Sequence, residues 1–380
     1  MTKHSALCAG SFVCLMVYGL YQFTVAATHP DGLAMPSGIK NFRDGVTTQA
    51  IEKALDLKLP ARDTVIAFAN TIRYQLFGAS GDQVRTGNNG WLFLTDEIKF
   101  EGISAGQSLL NDPSTSIQQR TEFIAAIAKR LQAQGVTLVV ALVPDKARVY
   151  QTQLKSQSYP ADNANKYGNV LKQLQRRQVH VVDLLEPFNQ AAKVTQSKEV
   201  YYRTDTHWNQ NGAQIAAAQI AIHIKKLAIP LEPTQFQTTV ASNSTERVGD
   251  LIRLMGLGIV PSALRPSPDT EAVAATTEIR KGVDKNSSAG LFGDASVSVA
   301  LVGTSYSLRG NFHGYLQEAL ATKILNTAKD GGGFLQALTA YVQDDAFKSS
   351  KPKVIVWEIP ERMMASPLTE EGTWLQKHLQ

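Results

Sequence analysis

The sequence predicts an α/β protein with a mainly parallel sheet flanked by helices, and three observations predict it. Residues 136–143 (VTLVVALV) and 297–302 (VSVALV) are continuous apolar runs rich in β-branched residues, the mark of strands buried on both faces. Segments of helical periodicity separate such runs, and helices alternating with apolar strands argue for a parallel sheet. A glycine-bearing turn follows one of these strands directly and puts Ser305 at its carboxyl end, where open α/β sheets gather their active sites.

The elements follow in order. Lys3 precedes a nearly charge-free stretch, residues 5–27 (SALCAGSFVCLMVYGLYQFTVAA), close to the roughly 20 residues a spanning helix needs. Its end, Val25-Ala26-Ala27, also has the small residues of a cleavage site. Residues 1–28 therefore read as a signal anchor or a signal peptide. Either reading exports the rest of the chain. Residues 29–45, rich in Gly, Pro and polar side chains, read as a linker. Helical patterns cover 48–57 and 62–77. Gly87-Asn88-Asn89-Gly90 is a turn signal leading into the short strand 91–94. A helix is expected over 114–134, with Gly135 as its stop. The strand 136–143, a helix over 161–177 and a strand over 179–183 come next. The helix 209–227 carries alanines on its packing side, and strands close the list at 297–302 and 353–357. From about 230 to 295 the pattern breaks into a Pro-, Ser-, Thr- and Gly-rich insertion of loops and short strands.

Composition excludes several classes. Hydrophobic residues make up 43% and charged residues 19% of 380, which is ordinary for a globular chain and excludes general disorder. The net charge of +5 suits an acidic polymer as well as no charged partner at all, and no Lys/Arg stripe suggests nucleic acid. Both cysteines, Cys8 and Cys14, sit in the N-terminal apolar stretch, so the remainder holds no disulfide and no cysteine metal site.

Ser305 lies in V-G-T-S-Y-S, with Gly303, Thr304 and Tyr306 around it. A serine on a tight turn after a strand exposes its hydroxyl beside backbone N–H groups suited to an oxyanion. An ordinary turn serine gives the same pattern. A serine nucleophile needs a base. Of the histidines, His29 and His378 lie near the ends, His223 sits inside a helix and His180 starts a strand. His207 has Asp205 two residues before it, and in an extended segment such a pair faces the same way. The carboxylate then fixes the imidazole tautomer, as a triad requires. Trp208 stands ready to exclude water. His313, eight residues beyond Ser305, is the competing base. Two other readings of Asp205-Thr206-His207 stay open: a helix N-cap, and a pair of metal ligands that lacks further ligands at suitable spacing.

The set T-D-T-H-W-N-x-x-G-A (204–213) and V-G-T-S-Y-S (302–307) resembles the bacterial exopolysaccharide O-acetyltransferases, alginate O-acetylation proteins of the AlgJ and AlgX type and their cellulose-acetylating Wss relatives. Gly90-Trp91-Leu92-Phe93, the run V-P-D-K-A-R-V-Y (143–150), Asn311-Phe312-His313-Gly314 and W-E-I-P-E-R (357–362) add to it, and the likeness spans about 87 to 362. The resemblance implies an SGNH hydrolase-like fold over 46–380 with permuted motif order, Asp-x-His before the serine. It implies Asp205 as orienting group, His207 as base and Ser305 as nucleophile, and it demotes His313, whose motif position varies. It also implies no cofactor and no metal, a polysaccharide acceptor, a membrane-bound O-acyltransferase as acetyl relay, and other exopolysaccharide synthesis or secretion proteins as partners. The location implied is the periplasm, anchored or released. AlgX-type proteins add a carbohydrate-binding module, for which the chain to Gln380 leaves no room, so the AlgJ-like form fits better. Lys146, Arg148, Arg309 and Asn311 are candidate contacts for a uronate or the oxyanion. Trp91, Trp208 and Trp357 either stack on sugars or fill the core, and Glu361 is read as pairing with Arg362. A carbohydrate acetylesterase with the same triad, and a non-catalytic scaffold, remain as alternatives.

Overall fold

The computed structural model describes residues 13, 16–21, 62–98, 113–155, 159–193, 199–279 and 297–366. The linker, the helix expected over 48–57 and most of the N-terminal apolar stretch lie outside them. No helix among the described residues is long and apolar enough to cross a membrane. The chain divides into two units, Met1–Ala79 with Gly256–Arg265, and Ser80–Met255 with Pro266–Gln380. In the first, the helix Arg62–Phe77 has the turn at Gly256 against Ile66 and Asn70.

The second unit is built on five parallel strands in the order β4-β3-β9-β7-β8. Their ranges are β3 Thr137–Val143, β4 His180–Asp183, β7 Val299–Val302, β8 Ile324–Asn326 and β9 Val354–Pro360. Every residue of β7 and β9 is buried, which is why these strands read as unbroken apolar runs rather than as alternation. One sheet face packs Val139, Ala141, Val143, Leu301 and Val356 against the helices Gln210–Lys226 and Phe312–Leu320. The other packs Leu138, Val140, Leu142, Val302 and Trp357 against the helices Pro113–Ala133, Lys166–Arg176 and Gln336–Gln343. Ala213, Ala216, Ala217 and Ala221, all buried, form the expected packing side of Gln210–Lys226.

Three differences from expectation have physical causes. The helix expected over 161–177 is two, Ala161–Ala164 and Lys166–Arg176, because the Asn163 and Ala164 carbonyls are taken by the Arg148 guanidinium. β8 was not foreseen; it is a three-residue strand at the sheet edge, too short to show a pattern. The insertion is ordered differently from a run of loops and short strands. β5 (Phe236–Arg247) and β6 (Asp269–Glu278) pair as a long antiparallel ribbon, with the short helix Asp250–Leu254 between them. Most of β5 is exposed, so it lacks the apolar stripe that betrays a strand. A small antiparallel pair, β1 (Val84–Thr86) and β2 (Leu92–Leu94), completes the described strands.

Candidate active site

β7 ends at Val302, and Gly303-Thr304 lead into a 3-10 turn, Ser305–Leu308. What fixes this turn is Glu358 of neighbouring β9, wholly buried beneath it. Glu358 accepts the Thr304 N–H (2.8 Å), the Thr304 hydroxyl (3.0 Å) and the Ser307 hydroxyl (3.1 Å). Burial raises the pKa of Glu358, opposed by these three donors. Gly303 is the close-approach residue, since a Cβ there would lie 2.6 Å from Glu358 Oε2.

His207 stands on a loop from 202 to 207, closed at its ends by the antiparallel bridge Tyr201↔Trp208. The segment is bent rather than extended. Asp205 still reaches His207, because its Oδ1 accepts both the His207 backbone N–H (3.0 Å) and Nδ1 (2.6 Å), the geometry of an Asx turn. On the other side of the ring, Nε2 lies 2.6 Å from Ser305 Oγ. Carboxylate, imidazole and hydroxyl thus form one hydrogen-bonded line across three loop positions from two distant parts of the chain. The helix N-cap reading of Asp205 or Thr206 fails, as Asn209 caps the following helix by accepting from Gly212 N (3.0 Å). His313 instead bonds the Ile324 carbonyl through Nε2 (2.8 Å), and His180 pairs edge-on with His223.

The electrostatics suit a base with a fixed tautomer. Burial opposes the charge on Asp205, yet His207 and Arg247 together hold its carboxyl far below the usual range. Arg247, at the end of β5, donates to Asp205 Oδ2 (3.1 Å) and lies over the Tyr202 ring. Asp250, at the start of the next helix, gives its N–H to the same Oδ2 (3.1 Å). Its carboxylate accepts the Thr206 N–H (2.7 Å) and lies 3.4 Å from His207 Nδ1. Burial and then the charge of Asp205 raise the pKa of Asp250. Asp269 holds the loop at Arg203 N (2.8 Å) and Thr204 N (2.9 Å). Arg247, Asp250 and Asp269 were not singled out in the sequence because the insertion carries no periodicity to place them. Glu358 was missed because a glutamate after an apolar run reads as the strand's exposed end.

Asp205, His207 and Asp250 are the only described residues that gather as possible metal ligands. Their atoms are engaged with one another, with Arg247 and with Thr206, so a cation would have to displace Nδ1–H and several donors. The donor set does not fit a metal as it stands.

Several candidate contacts have other partners. Lys146 is wholly buried and donates to the carbonyls of Leu92 (2.6 Å), Arg203 (2.8 Å) and Asp205 (2.9 Å). Burial pulls its pKa down to about 8, against the pull of Glu97, Asp269, Asp205 and Asp250. It braces the loop of Asp205 and has no donor left for an oxyanion. Thr304 gives its N–H to Glu358, so that N–H is likewise not free. Tyr306 is buried and donates to the Thr206 carbonyl (2.7 Å), and Trp208 donates to the Tyr306 carbonyl (3.1 Å), tying the two loops together. Trp91, Trp208 and Trp357 are core residues, each at most 3% exposed. Asn311 donates to Thr276 Oγ1 (2.9 Å), and Arg309 makes a surface ion pair with Asp330 (2.9 Å). Glu361 does not pair with Arg362. It binds Arg148 (2.6 Å) and lies 3.7 Å from Lys166, whereas Arg362 donates to the Tyr306 hydroxyl (3.2 Å) and faces Glu97. A guanidinium one residue along the chain points away from the carboxylate, and each finds its partner on another element.

Comparison with known proteins places the chain in a family. Residues 84–361 match the family model of the SGNH hydrolase-like domain of acetyltransferase AlgX. A probable alginate O-acetylase AlgJ from Pseudomonas putida is 34% identical over 84% of this chain and 80% of its own length. The solved O-acetyltransferase domain of Pseudomonas putida AlgJ superposes with a TM-score of 0.64 at 32% identity, covering 77% of this chain and 97% of that domain. AlgX of Pseudomonas aeruginosa, at 24% identity and a TM-score of 0.51 over 73% of this chain and 62% of that one, shares the fold. With a mainly parallel sheet flanked by helices, a family model matched over residues 84–361 and relatives matched over most of its length, the chain belongs to the SGNH hydrolase-like acetyltransferase AlgX family.

Proposed function

We propose that the chain is an exported O-acetyltransferase that moves acetyl groups through an acetyl-Ser305 intermediate onto a polysaccharide hydroxyl. The observation that carries this reading is the continuous line Asp205–His207–Ser305, with both hydrogen bonds at 2.6 Å. His207 Nε2 takes the proton of Ser305 Oγ as Oγ attacks the acetyl carbonyl. Within the turn, the Tyr306 N–H goes to Thr304 Oγ1 and the Ser307 N–H to the Thr304 carbonyl, which leaves the Ser305 N–H to meet the developing oxyanion. The donor's leaving group departs with the proton from Nε2. A polysaccharide hydroxyl then gives its proton to Nε2 and attacks the acetyl-serine, and Ser305 Oγ leaves as that proton returns to it. Asp205 stays ionised and stabilises the imidazolium of both steps.

Alginate is the first acceptor to test, because the relatives are named as alginate O-acetylases; cellulose is the second. Export follows from the apolar stretch 5–27. An exported enzyme has no access to cytoplasmic acetyl-CoA, so the reading includes a membrane-bound O-acyltransferase as relay, working with other polysaccharide biosynthesis proteins. The test supplies the purified chain with a chromogenic acetyl ester and either oligomannuronate or cello-oligosaccharide. Acetylated oligosaccharide formed by wild type and not by Ser305→Ala supports the reading and names the polymer. Ser305-dependent cleavage with water as the sole acceptor, even with the relay present, makes the protein an esterase. Turnover that survives Ser305→Ala refutes the reading.

A further inference from the structure

His207 Nδ1 has two carboxylates beside it. Asp205 Oδ1 lies at 2.6 Å and Asp250 Oδ2 at 3.4 Å. They differ in how their charge is met. Asp205 is bonded by Arg247 as well as by His207, whereas among the described residues the one ion-pair partner of Asp250 is His207. Asp250 is also fixed in place. Thr206 gives its N–H to Oδ1 and its hydroxyl to Oδ2 (2.5 Å), and the Asp250 N–H binds Asp205 Oδ2. The two carboxylates and the loop between Thr204 and His207 are therefore one stapled unit.

The form of His207 that acts as a base is the neutral imidazole, and a second carboxylate nearby gains little from it. Once Nε2 has taken a proton the ring is a cation, and both carboxylates attract it. An interaction stronger in the transition state than in the ground state raises kcat rather than lowering KM. We infer that Asp250 is a second positioning carboxylate for His207, acting on the imidazolium alongside Asp205. The inference rests on the proposed role of His207 as the base for Ser305.

The test compares the purified full-length wild type with Asp250→Asn, Asp205→Asn, the double variant and Ser305→Ala, on a chromogenic acetyl ester. Asn at position 250 keeps an acceptor for the Thr206 N–H and removes the charge, while its amide nitrogen replaces the oxygen that accepts the Thr206 hydroxyl. The account expects kcat to fall roughly tenfold to a hundredfold, with KM within about twofold, as one partly exposed charge 3.4 Å from the ring implies. The double variant falls below either single variant. If Asp250→Asn does not fold, Asp250→Ser, also neutral with an oxygen at the helix start, carries the same expectation. Asp250→Asn with kcat within about twofold of wild type, or with a raised KM and unchanged kcat, overturns the inference while Ser305→Ala remains inactive. Normal turnover by Ser305→Ala overturns the reading beneath it instead.

Discussion

Gly303→Ala tests how the nucleophile turn is built. An added Cβ would lie 2.6 Å from Glu358 Oε2, 2.7 Å from Ser307 Oγ and 2.9 Å from Glu358 Cβ. Glu358 cannot swing aside cheaply, because it is wholly buried and holds three donors of the turn. Overpacking of this kind costs about 1–3 kcal/mol, and each hydrogen bond to a charged group that is lost adds about 1.5–3 kcal/mol. With one of the three bonds broken, the expected destabilisation is about 2.5–6 kcal/mol. The effect on activity comes from position. Thr304 N–H anchors the residue next to Ser305, and a shift of about 1 Å in a reacting group costs on the order of a hundredfold in rate. Urea denaturation and ester turnover of Gly303→Ala, beside Glu358→Ala, check both numbers. Both variants should loosen the same turn, and the double variant should be little worse than Glu358→Ala alone, since the side chain that the added Cβ meets is then gone. A Gly303→Ala protein with wild-type stability and a kcat within about twofold would refute the claim that Glu358 holds the turn.

Two further predictions concern the buried charges beneath the site. Lys146→Met keeps the length of the side chain but leaves the Leu92, Arg203 and Asp205 carbonyls without their donor, at about 1–3 kcal/mol each where they stay dry, so it should destabilise by several kcal/mol and lower kcat by loosening the Asp205 loop. Lys146→Arg, too large for the enclosed space, should not rescue either loss. Burial and then the charge of Asp145 push Glu97 up to about 7. Its folded pKa lies above its unfolded one, so the stability it contributes is complete below about pH 4.5 and is lost as pH rises through 7, by up to ~3 kcal/mol. Glu97→Gln should therefore flatten the stability profile measured by urea denaturation between pH 5 and 8; an unchanged slope would contradict this.

The sheet was legible because β3, β7 and β9 are buried on both faces, as are the two central valines of edge strand β4, and so appear as apolar runs whose starts lie within two residues of the expected ones. β9 runs on to Pro360, past the expected end at 357, because Glu358 is buried by satisfied hydrogen bonds and not by being apolar. The order Asp205, His207, Ser305 was legible from the two motifs that carry them. What surrounds them was not. In sequence Lys146 reads as a candidate contact for a uronate or the oxyanion and Arg362 as the partner of Glu361, and only the fold shows that carbonyls and a buried tyrosine receive them. Arg247 and Asp250 flank a ribbon whose exposed strands give no periodic signal, and their link to Asp205 spans more than forty residues of chain.

The most direct test of the account is peptide mapping by mass spectrometry after the full-length chain is mixed with an acetyl donor and quenched before the acceptor is added. The account predicts one acetyl group on the peptide carrying Ser305, removed when oligosaccharide is supplied and absent from Ser305→Ala and His207→Ala. Acetyl transfer to oligosaccharide with Ser305 unmodified throughout, or undiminished in Ser305→Ala, would contradict it.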